Sequence, residues 1–178
     1  MEYALSKKLD RRLRLSEEYL NWSCNQIIKN STQDRGQFFS DLLKGYERHG
    51  ICPEGDMPYA KTFSGANQPT ARATSDAQLV KHYGLRANWI KPNDGKVGIT
   101  DGHIERMKAI LRNGWPVCAG SGHSVLVVGY TDDPVSTGGG HFLLRDSGGG
   151  NEQTMTYKAA KARLCDLLWY DTEPTTSK

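Results

Sequence analysis

The sequence has no long apolar run, no large charge excess and no closely spaced cysteines, and each absence removes a class of function. No stretch reaches the roughly 20 apolar residues that a bilayer-spanning helix needs, so no membrane association is expected. The start, Met1-Glu2-Tyr3-Ala4-Leu5, lacks the basic-then-apolar pattern of a secretory leader, which makes a cytoplasmic protein the default expectation. A net charge of +3 over 178 residues is too small to argue for nucleic acid. The basic pairs Lys7-Lys8 and Arg11-Arg12 read as the solvated face of a helix. Four cysteines are scattered without a C-x-x-C pair, and five histidines show no metal-ligand spacing, so no metal is expected. Without a leader, free thiols are favoured over disulfides. The glycine runs 138–140 and 148–150 read as turns, since neither opens a helix with phosphate-loop spacing, and no cofactor is implied.

What remains is an ordinary globular composition, 37% hydrophobic and 24% charged, in a chain long enough to bury a real core. The periodicity predicts helix over 2–20 running into a turn, with a restart at Leu15-Ser16-Glu17-Glu18, where Ser16 suits an N-cap. Further helices are expected at 38–46 (ending near His49-Gly50), 75–83, 100–113 and 157–167. Strands are expected at 85–91, 116–119, 124–130 and 141–145, with a last apolar piece at 168–170. Helices first and antiparallel strands later indicate an α+β fold in two lobes: 1–91 mainly helical, 92–170 mainly β, and 171–178 a polar tail.

Two segments carry chemistry. Gly122-His123-Ser124 opens an apolar strand and offers an imidazole. Arg145-Asp146-Ser147-Gly148 closes another and offers a carboxylate before a Gly-rich turn. An imidazole with a carboxylate to orient it is the general-base half of a nucleophilic triad. The plain alternative is a strand histidine satisfied by Asp146 without catalytic purpose. Nothing beside either segment is an obvious nucleophile. Of the other histidines, His49 reads as a helix C-terminal residue, His82 and His103 as surface residues, and His141 as the solvent-facing start of a strand.

Five segments occur in the order seen in papain-like cysteine peptidases, which the chain resembles over roughly residues 2–170. They are Leu15-Ser16-Glu17-Glu18-Tyr19-Leu20, His49-Gly50-Ile51-Cys52-Pro53-Glu54 with Met57-Pro58-Tyr59, Asn113-Gly114-Trp115-Pro116-Val117, Gly122-His123-Ser124-Val125-Leu126-Val127-Val128-Gly129-Tyr130, and Arg145-Asp146-Ser147-Gly148-Gly149. The match is closest to bacterial members. The resemblance implies a helical left lobe, a β-barrel-like right lobe and thiol-dependent hydrolysis of peptide or protein substrates. It places His123 as the family's histidine and Asp146 where the family has asparagine. It also implies that the region carrying the catalytic cysteine and oxyanion glutamine lies upstream of Met1, so the chain is expected to be N-terminally truncated and inactive as written. A left-lobe core left open in this way would need a dimer mate or a complementing N-terminal segment. Gly148 stands where the family has a shielding tryptophan, and the stretch between Val117 and His123 is shortened. Cys24 occupies the place of a family half-cystine, while Cys52 and Cys165 read as buried small residues. Cys118, five residues before His123, is the one candidate for a displaced nucleophile, against the alternative of a core thiol. Three readings follow: a fragment of a cysteine endopeptidase, a non-catalytic peptide-binding homologue, or a hydrolase that uses Cys118.

Overall fold

The computed structural model describes residues 1–148 and 153–173. Gly149 and Gly150 of the expected glycine turn, and all but the first three residues of the expected polar tail, lie outside the described residues. The chain forms two units, one of Met1–Arg86 with the segment from Asp171, the other of Ala87–Tyr170.

The first unit is helical. Helix α1 (Glu2–Leu9) stops where Asp10 turns left-handed, at φ 48°. The following segment is then folded back onto α1: Ser6 Oγ accepts from the Leu13 amide at 3.0 Å, and Glu2 Oε1 from the Leu15 amide at 2.8 Å. Helix α2 (Glu17–Ile28) begins as its sequence dictates, with Ser16 Oγ accepting the Tyr19 amide at 2.8 Å and two acidic residues in the first turn. Helix α3 (Phe39–His49) ends on Gly50, which takes φ 79°. A Cβ on Gly50 would come within 2.3 Å of the Ala77 carbonyl oxygen, so only glycine fits there. A single 3-10 turn (Glu54–Asp56) is followed by loop, then α4 (Ala71–Lys81). This last helix starts four residues earlier than its apolar pattern predicts, because Thr70 Oγ1 caps the Ala73 amide at 3.1 Å. Tyr19, Cys52, Met57, Ala73 and Ala77 form a core here, with Trp22 packed against them.

The second unit is built on a sheet of six strands among the described residues: β1 (Leu85–Lys91), β2 (Val117–Gly120), β3 (Ser124–Asp132), β4 (Gly140–Arg145), β5 (Gln153–Thr156) and β6 (Asp166–Thr172). Their order is β1-β6-β2-β3-β4-β5. The first two residues of β1 and the last two of β6 belong to the first unit. Strand β2 lies between β6 and β3, antiparallel to both, so its backbone is paired along both edges. Helices α5 (Asp101–Arg112) and α6 (Tyr157–Arg163) complete the unit. Ile104, Met107, Val117, Val127, Phe142 and Leu167 lie in one buried core. The helix predicted to run to 167 ends at Arg163, because Leu164 turns extended and the chain enters β6, where Leu167 and Leu168 are fully buried. Strand β5 has no apolar signature of its own and exists by pairing with β4, Thr156 opposite His141 and Gln153 opposite Leu144. No helix among the described residues is long and apolar enough to cross a membrane.

Candidate active site

The β2–β3 hairpin places His123. Gly120 pairs with Ser124, so residues 121–123 form the turn. The Ser121 amide donates to the His123 carbonyl at 3.0 Å, and Gly122 takes a positive φ of 77° between them. The β3–β4 pairing places Asp146. Arg145, the last residue of β4, sits opposite Leu126, so the chain leaves the sheet at the end where His123 enters it. A bulge between Val127 and Gly129 shifts the register on the way.

The two side chains meet. His123 Nε2 lies 2.7 Å from Asp146 Oδ1, and the Gly148 amide donates to the same oxygen at 2.9 Å. The carboxylate is 16% exposed and the imidazole 58% exposed, so the acid is anchored and the ring presents an open edge. The Gly148 N–H, and after it His123, hold the Asp146 carboxyl below the ordinary carboxylate range. An ionised acceptor on Nε2 fixes the neutral ring as the Nε2–H tautomer, leaving Nδ1 as its lone-pair nitrogen. Protonation at Nδ1 then creates an imidazolium beside a carboxylate. This arrangement can take a proton from a thiol and hold the resulting cation.

All four cysteines are free thiols. Cys24, inside α2, and Cys52, in the loop after α3, are fully buried, and burial pushes both thiols up to about 11. Cys118 pairs with Leu126 across the hairpin. Leu126 is three residues past His123, which corresponds to about 10 Å along a strand. Its neighbours Val117 and Ala119 point into the core, so Cys118 takes the other face of β2, and burial raises its thiol as well. Cys165 sits between α6 and β6, with Sγ 3.7 Å from the Arg163 carbonyl oxygen. None of the four stands in the first turn of an α-helix, where a thiolate gains from the helix dipole.

Two polar groups are buried without any sequence signal for it. Asp166 is 5% exposed on β6 opposite Gly120, where a Cβ would lie 1.9 Å from its Oδ1, and burial raises its carboxyl. His49, expected at a helix end, does close α3, but its Nε2 is buried without a hydrogen-bond partner among the described residues. Burial of this kind depends on tertiary packing and leaves no mark in local sequence. Among the described residues no group of three or more His, Cys, Asp or Glu side chains is placed to hold a metal.

No family model and no curated protein matches the sequence. Among solved structures, the chain is similar to xylellain, a cysteine protease from Xylella fastidiosa, with a TM-score of 0.72 at 19% identity, covering 97% of this chain and 78% of that one. It is also similar to digestive procathepsin L 3 of the Tenebrio molitor larval midgut, with a TM-score of 0.60 at 18% identity, covering 96% of this chain and 59% of that one.

Proposed function

We propose that this chain, whose fold is that of the papain-like cysteine proteases, carries the general-base half of a thiol peptidase site, and that Cys24, Cys52 and Cys118 do not complete it. The observation that carries the first part is the 2.7 Å contact between His123 Nε2 and Asp146 Oδ1. In the chemistry this pair serves, Nδ1 of His123 takes the proton of a thiol. The thiolate attacks a peptide carbonyl carbon, and the imidazolium returns the proton to the departing amine as the C–N bond breaks. Water then cleaves the thioester with the same imidazole as base. Asp146 orients the ring and stabilises its cationic form more strongly than a neutral amide in that place would.

The second part rests on the thiols. Cys24 and Cys52 are raised to about 11, the reverse of an activated nucleophile. Cys118 is raised too and is paired opposite Leu126 rather than beside the histidine. This chain is therefore a histidine–aspartate scaffold of peptidase type whose buried thiols do not supply the nucleophile.

Imidazole ¹⁵N spectra at pH 8 test the base half. His123 is expected as the Nε2–H tautomer, with the bias lost in Asp146→Ala. An Nδ1–H ring in the wild type, or a spectrum unmoved by the substitution, would remove the orienting role. A fluorogenic dipeptide amide should be cleaved no faster by the wild type than by His123→Ala.

A further inference from the structure

A cavity of about 210 Å³ opens on the flank of α2, walled by that helix, by Asn30 and Ser31 beyond it, and by the loop 63–68. All of its lining belongs to the first unit, apart from the histidine site. Gly65 closes the rim: a Cβ there would lie 1.8 Å from the Ser31 carbonyl oxygen, so the two loops touch through a residue without a side chain.

The lining holds six side-chain amides, one carboxylate and no Lys, Arg or His. The amides on the helix side are already ordered. Asn30 Nδ2 donates to Asn25 Oδ1 at 2.9 Å, and Asn25 Nδ2 to Asn21 Oδ1 at 3.1 Å. Gln37 Nε2 reaches the Asn21 and Asn25 oxygens at 2.7 and 3.2 Å. Both oxygens are thus spoken for, so Asn21 and Asn25 offer a ligand N–H groups, two from Asn21 and one from Asn25, while Gln26 farther along the helix carries both a donor and an acceptor. The loop wall is ordered by a residue of the helix. Glu18 accepts from Asn67 Nδ2 at 2.9 Å and from the Ala60 amide at 3.1 Å, which turns the Asn67 oxygen free as an acceptor. Gln68 Oε1 takes the indole N–H of Trp22 at 2.9 Å.

These facts select a ligand chemistry. With no cation in the lining, an anion has no partner. The carboxylate already accepts two N–H groups, which weakens the case for a cation. A lining of ordered amide donors and acceptors suits a neutral molecule whose groups both donate and accept, as hydroxyls do. Trp22 already packs against Tyr19 and His49, at centroid distances of 5.2 and 5.0 Å, so it can offer one apolar surface rather than a slot for a flat aromatic base. The volume is below the roughly 300 Å³ at which drug-sized sites begin. We infer that this cavity binds a single neutral sugar ring, its hydroxyls held between the Asn21/Asn25 N–H groups and the Asn67 oxygen.

Amide NMR titration with the methyl glycosides of glucose, galactose and mannose, and with N-acetylglucosamine, tests this directly. At least one should produce saturable shifts confined to residues 18–31 and 60–68. Asn21→Asp keeps the two acceptor bonds but removes the donors, and should weaken binding at least tenfold. Ser64→Phe places bulk at an exposed rim position and should abolish it, which covers the case in which the α2 variant folds poorly. Absence of saturable shifts with all four sugars, shifts outside this region, affinity unchanged in both variants, or adenosine binding more tightly than every glycoside would each overturn the inference.

Discussion

At the scale of single residues, the surroundings of each titratable side chain decide what it can do. His123 and Asp146 were legible because each follows or precedes an apolar run, so that sheet pairing alone brings them to one end of β3 and β4. The Gly148 amide that anchors Asp146 was not legible, since a backbone donor leaves no residue signature. Sequence proximity made Cys118 a candidate beside His123, but pairing sets its partner as Leu126. The thiols give a measurable consequence. At pH 8, Ellman's reagent should spare Cys24 and Cys52, both raised to about 11, until denaturant is added. Peptide mapping that finds either modified in the folded protein would contradict their burial.

At the scale of elements, local signals and structure agree where a cap or a strict period exists. Ser16, Thr100 and Thr156 each cap the helix that follows. The sequence signals were weakest where tertiary pairing decides. Polar β5 is held by β4, and the 164–167 segment leaves its helix to enter β6. Ser16 is fully buried; its hydroxyl accepts from the Tyr19 amide and donates to the Met57 carbonyl. Ser16→Ala should therefore cost about 1–3 kcal/mol in urea unfolding, losing a cap and leaving buried polar groups unmet. Leu167→Ala, which opens a hole where β6 meets the core, should cost about 2–5 kcal/mol. A loss under half a kilocalorie for either would show that the element is not held as described.

At the scale of the whole molecule, stability should fall in two stages as the pH drops. Burial, then Arg48 and Lys81, hold His49 below the ordinary imidazole value, against a Trp22 ring packed edge-on at 5.0 Å. The unfolded chain therefore takes up that proton first, and stability begins to fall as the pH passes about 6.5. Asp94, Asp132, Asp133 and Asp146 are held below the ordinary carboxylate range, the first three chiefly by Lys91, Lys108 and Ser136, the last by Gly148. Their contribution is complete above about pH 4 and is lost below it. Asp166, raised by burial, opposes that second stage, because protonation relieves it. Urea midpoints between pH 7 and 3 should show both stages, and His49→Gln should flatten only the first. An unchanged slope between pH 7 and 5 in that variant would clear His49.

Time-resolved alkylation by a peptidyl epoxide at mildly acidic pH, followed by intact mass, on the wild type and on His123→Ala, reads out whether His123 activates any thiol of this chain. A histidine–aspartate pair without a thiolate partner predicts slow labelling at the same rate in both proteins. Rapid single labelling that disappears in His123→Ala and maps to Cys118 would contradict it and make that cysteine the nucleophile.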